Sequence, residues 1–309
     1  MLAHRHARSA LLALFALTCA SAASADDAND PLSRPTYRST VSEVRVTFFA
    51  TDEKGRPVEN LTKSDLAVVD NELVVRNFRS FAHSDETSLD VVALVDVSES
   101  VAPRFRAALS DVLQLVARQQ SIPDDNLAVV SFGGARPAIL CSGSCRAPDS
   151  MSKLKTVKSS GTTPLFDALI FAADFISHHR RAGVRPVLVL FSDGDDTISL
   201  HSPSEALQAT LAAGALIYSV DIGTVGNRSM GSMFLRRVSE ATGGRYFSLH
   251  DGVATVLNTV LEDLRASYTL TYDLPSHQAG FHSLRLLPTH NLNFRFHNRS
   301  GYHYEQSVR

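Results

Sequence analysis

No block of Lys or Arg interrupts the 309-residue chain, and its formal net charge is −2. A nucleic-acid partner therefore has no electrostatic basis, since phosphate contacts call for a basic patch or stripe. The small cluster Lys153, Lys155 and Lys158 is expected to be a solvated helix or loop face. The chain also lacks a Gly-x-Ser-x-Gly nucleophile elbow and a phosphate-cradling Gly-x-x-x-x-Gly-Lys loop. Histidine shows no regular metal spacing near the end: His277, His282, His290, His297 and His303 read as surface residues. Cysteine is scarce, with three in all. The apolar stretch Ala10 to Ala20 is too short to serve as a lasting bilayer span.

That stretch has a different meaning. His4, Arg5, His6 and Arg8 precede it, and Ala23-Ser24-Ala25 follows before Asp26. A basic segment, a short apolar segment and a small-x-small cleavage site read as a secretory signal over residues 1–25. The expectation is a secreted or periplasmic protein beginning near Asp26, without a lasting membrane anchor. Cys19 lies inside the signal, and Thr18 before it is a poor match to a lipoprotein cleavage site. Cys141 and Cys145 remain, as Cys-Ser-Gly-Ser-Cys. Two nearby thiols in an oxidising compartment are expected to form a disulfide. They lack both a His partner for zinc and the Cys-x-x-Cys redox spacing.

The composition, 44% hydrophobic and 20% charged, is that of an ordinary globular chain. Residues 26–37 are polar and read as a linker. From Val41 the pattern alternates, with Val44, Val46 and Phe48 on one side and Arg45 and Thr47 on the other, as in a half-buried strand. Leu66 to Val69 and Leu73 to Phe81 give two more strand-like runs. Past Ser88 strands and helices alternate. Buried-type strands at Leu89 to Val95, Leu127 to Phe132, Val187 to Phe191 and Leu216 to Val220 are separated by amphipathic helices, the first carrying Phe105, Ala108, Leu109, Val112 and Val116. Such alternation implies right-handed βαβ units on a parallel sheet. After Ala266 the helices cease and three alternating strands follow, around Tyr268 to Tyr272, Leu284 to Leu286 and Phe294 to Phe296. Each β flank has about 40–50 residues, a size at which a lone core is marginal. The inferred organisation is a β-sandwich made of residues 38–87 and 267–309, with an α/β domain of residues 88–266 inserted in it.

The first α/β strand ends at Asp96, and Ser98 and Ser100 follow at alternate positions. A carboxylate and two hydroxyls on one loop are hard oxygen donors of the kind Mg²⁺ takes. The carboxyl edge of a central strand is also where open α/β sheets bind ligands. The same residues serve equally as N-caps of the next helix, so both readings stand. Two further loops belong at this edge, one before the helix at Pro164 and one after the strand ending at Ser192. Together the three offer Asp96, Ser98, Ser100, Thr163 and Asp193.

In this combination the chain resembles the von Willebrand factor A domain family. The motif Asp-x-Ser-x-Ser stands here as Asp96-Val97-Ser98-Glu99-Ser100. The threonine loop stands as Gly161-Thr162-Thr163-Pro164-Leu165, and the final carboxylate as Ser192-Asp193-Gly194. The resemblance covers about Ser88 to Ala266. It implies a doubly wound, Rossmann-like, mostly parallel sheet and a metal-ion-dependent adhesion site formed by Asp96, Ser98, Ser100, Thr163 and Asp193. Because this loop reads Gly-Thr-Thr where the family has Gly-Gly-Thr, Thr162 is the alternative to Thr163. The flanks, with Thr51-Asp52-Glu53-Lys54-Gly55-Arg56-Pro57-Val58, Tyr268-Thr269-Leu270-Thr271-Tyr272 and Arg299-Ser300-Gly301-Tyr302, resemble a secreted bacterial group related to these domains.

Three hydroxyls and two carboxylates would leave a bound Mg²⁺, Mn²⁺ or Ca²⁺ electrophilic and open to one further anionic oxygen. The expectation is a non-enzymatic module binding a protein ligand through that ligand's Asp or Glu. A metal-dependent hydrolase on the same acidic edge is the rival, but it needs a general base and no His lies in the three loops. A structural envelope module with a vacant site is the third reading. Asp195 and Asp196 are expected to form a solvated acidic loop, His178 and His179 to end an exposed helix, and Asp221 either to support the site or to cap the next loop.

Overall fold

The computed structural model describes residues 43–83, 88–117, 126–134, 136–181, 183–223, 229–248 and 253–305. The expected signal sequence, with Cys19, and the expected linker lie outside these residues. The described residues form one compact unit.

The near-continuous apolar run Leu89–Asp96 becomes β5, and its register explains why nearly every position is apolar. Val91, Ala93 and Val95 enter one core, while Val92 and Leu94 enter another on the opposite face. Only a strand covered on both sides demands this. β5 lies between β6 (Leu127–Phe132) and β8 (Arg185–Ser192), parallel to both. β9 (Leu216–Asp221) and β10 (Tyr246–Ser248) extend the sheet past β8, and β7 (Ala138–Ser142) closes the other edge antiparallel to β6.

Helices cover the two faces. α1 (Phe105–Ala117) and α6 (Val253–Arg265) supply Phe105, Leu109, Val260 and Leu264 to one core. α3 (Leu165–His178), α4 (Pro203–Ala213) and α5 (Met230–Thr242) supply Leu169, Ala206 and Leu235 to the other. α4 begins in a capping box, with Ser202 and Glu205 satisfying each other's backbone N–H, and Pro203 occupies its first turn. The spatial order β10-β9-β8-β5-β6-β7 is that of a doubly wound Rossmann-like sheet. The strand order reverses between β5 and β8, which is the switch point of the topology.

The flanks build two further antiparallel sheets, each of four strands. One holds β1 (Glu43–Thr51), β4 (Ser80–His83), β11 (Tyr268–Asp273) and β13 (Arg295–Asn298). The other holds β2 (Leu66–Asp70), β3 (Leu73–Val75), β12 (Gly280–Pro288) and β14 (Gly301–Tyr304). Each sheet mixes strands from before and after the α/β domain. Val44, Val46, Phe48 and Val68 from the first flank share one core with Leu270, Tyr272, Leu284 and Leu286 from the second. Phe48 packs with ring centroids 5.8 Å from both Tyr268 and Phe296. The strand leading into the α/β domain and the strand leaving it are hydrogen-bonded neighbours, Tyr268 standing opposite His83.

Several expectations need correction. The run Leu73 to Phe81 is two strands in different sheets, β3 and β4, because period-two alternation carries no information about which sheet a residue joins. A short helix α2 (Pro148–Thr156) follows the Cys loop, and β14 adds a fourth strand after Ala266. Lys153 and Lys155 lie exposed in the last turn of α2. Cys141 and Cys145 are bonded in a disulfide with Cα atoms 5.1 Å apart.

Two of the tail histidines depart from the surface reading: one is interior and the other half-buried. His282 is 1% exposed and lies 3.4 Å from Asp70 Oδ1, while Asp70 Oδ2 accepts hydrogen bonds from the Tyr272 and Tyr302 hydroxyls. His297 stacks on Phe49 with ring centroids 4.5 Å apart and meets Thr51 Oγ1 at 3.0 Å. Burial lowers its pKa to about 4. Both sit in strands, where an inward-facing His is indistinguishable by spacing from an outward-facing one.

Candidate functional site

Asp96 is the last residue of β5, and Ser192 is the last of β8, so the switch point brings their loops side by side. Asp96 is fully buried. Its Oδ1 accepts the backbone N–H of Ser98 (2.9 Å) and its Oδ2 accepts the Ser192 hydroxyl (2.7 Å). Ser98 is also buried, and its Oγ stands 3.1 Å from that of Ser100, which opens to solvent. Glu99 and Val97 tie this loop to the one before α3: the Glu99 N–H donates to Gly161 O (3.0 Å), and the Ser160 N–H donates to Val97 O.

The threonine loop is clamped from both sides. The Gly134 N–H donates to Thr162 O (2.8 Å). Thr163 donates its N–H to Thr197 Oγ1 (2.8 Å), and the Thr197 N–H returns a bond to Thr163 O (2.9 Å). Thr163 is buried, whereas Thr162 is exposed and turns its hydroxyl toward Gly134 O. Gly161 has φ +86°, and a Cβ there would stand 2.9 Å from Gly134 N. Glycine is required for both reasons.

Asp193 follows β8 and is mostly buried. Its Oδ1 accepts the Asp195 N–H (3.2 Å), and the Gly194 N–H donates to Ser192 Oγ (3.0 Å). Gly194, at φ +81°, lies against the start of α5 so closely that a Cβ would be 2.3 Å from Gly231 O. The loop is thus packed backbone to backbone and has little freedom to move.

The carboxyl groups crowd one another. Burial pushes Asp96 up to about 6; hydrogen bonds from Ser98 and Ser192 oppose the rise, and the Asp193 charge adds to it. Asp195 is raised by burial and by the charges of Asp193 and Asp221. An edge that holds carboxyl groups against desolvation and mutual repulsion favours a cation. The oxygen geometry is compatible with one. Neighbouring ligands of an octahedral ion with bonds of 2.0–2.1 Å lie about 2.9 Å apart, close to the 3.1 Å between Ser98 Oγ and Ser100 Oγ. Among the described residues no group of three or more His, Cys, Asp or Glu side chains is placed to hold a metal. A site here would depend on hydroxyls, having two carboxylates in its donor set.

Some neighbours act differently from their sequence reading. Asp196 is not merely solvated: its Oδ2 accepts the Phe166 N–H (3.1 Å) at the start of α3, and its Oδ1 accepts the Ser199 N–H (3.2 Å). Asp221 caps the loop after β9 through the Gly223 N–H (2.7 Å) and accepts the hydroxyls of Ser232 and Tyr246, each at 2.6 Å. His178 and His179 end α3 in the open, their rings meeting the carbonyls of Asp174 and Phe175. Sequence reasoning missed Ser192 and Thr197, which hold Asp96 and Thr163. The only sign of Ser192 was its place in the Ser-Asp-Gly motif; Thr197 carried none, because its role depends on a loop 34 residues earlier in the chain.

Residues 91–195 match the von Willebrand factor type A domain family, a stretch that contains all five residues of the set. The chain therefore carries a domain of that family, a class of module used generally in protein interaction or adhesion and often binding divalent metal ions. No curated protein matches the chain. Among solved structures, an aerotolerance-related membrane protein from Bacteroides fragilis, with multiple mutations to serine, is 14% identical at a TM-score of 0.44, over 57% of this chain and 98% of that one. The SpRpn10 VWA domain is 15% identical at 0.42, over 56% and 94%. Proximal thread matrix protein 1 from the mussel byssus is 16% identical at 0.44, over 60% and 50%.

Proposed function

We propose that this chain is a secreted, non-enzymatic binding module that recognises a protein carboxylate through a divalent cation. Asp96, Ser98, Ser100, Thr163 and Asp193 would hold the ion, with Mg²⁺ favoured and Mn²⁺ or Ca²⁺ as substitutes. The observation that carries this reading is the paired Ser98 and Ser100 oxygens beside the buried Asp96, where three loops are cross-bonded at the sheet's switch point. Ser192 and the Ser98 N–H orient the Asp96 carboxyl, leaving its remaining lone pairs for a ligand. Thr163 is preferred to Thr162 because it is the buried residue of the two, held at both N–H and carbonyl by Thr197. Ser100, facing solvent, places the open side of the set where a partner can reach it. When bound, the ion supplies an electrophilic centre that attracts an Asp or Glu oxygen from the partner.

A catalytic reading gains no support from this geometry. His201, on the loop beyond Asp193, is already engaged by Asp167 at 2.8 Å. A secreted location rests on the amino-terminal signal pattern. No described helix is long and apolar enough to cross a membrane.

Titration calorimetry of the chelator-stripped mature protein tests the ion site. Mg²⁺ or Mn²⁺ is expected to bind at one site per chain in wild type and not in Asp96→Ala. Unchanged affinity in the variant would overturn the assignment, and chelator-sensitive turnover in a hydrolase screen would overturn the non-enzymatic reading.

A further inference from the structure

At the opposite edge of the α/β sheet from the three loops lies a cleft of about 900 Å³, walled by the sandwich on one side and the α/β domain on the other. β8 connects the two places: Arg185 opens the strand in the cleft and Ser192 ends it at the candidate metal site. Seven steps at about 3.3 Å per residue separate them by roughly 23 Å.

The lining of this cleft is strongly cationic. Arg45, Arg180, Arg181, Arg185 and Arg299 line it, with Glu43 as the one carboxylate among the lining residues. Arg181 is ion-paired to Asp90, and Glu43 faces Arg79 at 4.0 Å. The other four arginines have no carboxylate within salt-bridge distance among the described residues.

Of these four, Arg185 is an interior group and Arg299 is half-buried with its Nε enclosed. Arg185 is 7% exposed, and its partners are neutral: the Leu264 carbonyl (3.3 Å) and the Ser267 hydroxyl (2.6 Å). Arg299 donates from Nη2 to Arg45 O (3.0 Å) and lies 5.1 Å over the Tyr302 ring, while its Nε is buried without an acceptor. Burial lowers the pKa of Arg299, and the neighbouring Arg180 charge lowers it further. Asp70, whose charge opposes that shift, is already engaged by Tyr272 and Tyr302. Burying an unpaired charge is costly, and an unsatisfied N–H on a charged group adds to the cost. A protein that concentrates four unpaired guanidinium groups in one cavity lowers its free energy by binding an anion there.

We propose that this inter-domain cleft binds a small, multiply charged oxyanion, an organic phosphate or a polycarboxylate. The guanidinium fork matches both groups bidentately, and the volume lies within the usual range for small-molecule sites of about 300–1,000 Å³. More than one anionic group is called for, because the unpaired arginines come from separate elements: Arg45 from β1, Arg180 from the turn after α3, Arg185 from β8 and Arg299 from the turn before β14. The ligand would touch the sandwich and the α/β domain together and brace one against the other.

Calorimetric titration of the purified full mature chain with inorganic pyrophosphate, and separately with citrate, tests this. Chelator is present throughout, so that a cation at the Asp96 loop takes no part. Saturable one-to-one binding of either probe at near-physiological salt supports the proposal, and the preferred probe tells a phosphoryl from a carboxylate ligand. The double variant Arg45→Gln with Arg180→Gln alters two exposed side chains that make no side-chain ion pair, and should weaken binding at least tenfold without loss of fold. Arg299→Gln should weaken it too, whereas Asp96→Ala should leave it unchanged. Failure of both probes to bind, or binding unaffected by the double variant, overturns the proposal and leaves the metal site untouched.

Discussion

Replacing Asp96 by Asn should make the chelated protein more stable while removing its response to Mg²⁺. The Asp96 carboxyl is fully buried and raised from its ordinary 3.8 to about 6, chiefly by desolvation. At a pH above 6 the folded protein therefore carries a carboxylate that the unfolded chain would ionise more readily. One pKa unit corresponds to about 1.4 kcal/mol, so the difference amounts to about 3 kcal/mol, an upper figure given solvent relaxation around the site. Asparagine keeps the shape. Its Oδ1 can still accept the Ser98 N–H, and its amide can donate to Ser192 Oγ, a hydroxyl free to reverse its role. The sign follows from linkage. A folded pKa raised above the unfolded one means that the folded state holds the extra proton between pH 3.8 and about 6. Chelated wild type should thus lose stability as pH rises through that window, and the variant should not. In saturating Mg²⁺ the gap closes: at one hundred times Kd, wild type gains about 2.7 kcal/mol, which offsets most of the difference, and the variant gains nothing. Urea denaturation at pH 5 and 7.5, with chelator or Mg²⁺, measures all four states. A chelated variant less stable than wild type at pH 7.5, or equal stabilisation of both proteins by Mg²⁺, would refute the reasoning.

Two further outcomes follow from the architecture. Replacing Cys141 and Cys145 by Ser should lower stability by about 2 kcal/mol at most on a loop-entropy estimate for so short a ring, leaving a folded protein; urea midpoints measure this, and intact mass after alkylation checks the bridge in unreduced wild type. Deleting Tyr268–Arg309 removes β11, the strand paired on both sides by β1 and β4, and strips one wall from the core around Val44, Val46 and Phe48. With each large buried side chain contributing about 1.5–3 kcal/mol, the strands before Ser88 should become protease-sensitive while the α/β domain stays protected. Limited proteolysis with mass mapping reads this directly, and continued protection of the first flank would contradict the shared core.

The sequence by itself determined the alternation of strand and helix, because burial on both faces and burial on one face write different periods into the chain. Leu89–Asp96 could be read as a central strand from its composition, and the three loop motifs could be read as neighbours because each ends or begins at the same edge of such a sheet. The reason for the two flanks to fold together was also legible, since a lone core in either would be marginal. Strand order was not. Only the tertiary structure set β5 against β8 and so made Ser192 a hydrogen-bond partner of Asp96 from 96 residues away. The same holds for side-chain direction in the flanks. His282 and His297 belong to strands whose inward and outward positions look alike until the partner sheet is in place, and there His282 is buried and His297 half-buried. The run from Leu73 to Phe81 divided between two sheets for a related reason: alternation records that a face is covered, not by what. The arginine-lined cleft was invisible in the chain because its members lie far apart in sequence, from Arg45 to Arg299, and converge only when the inserted domain rests against the sandwich.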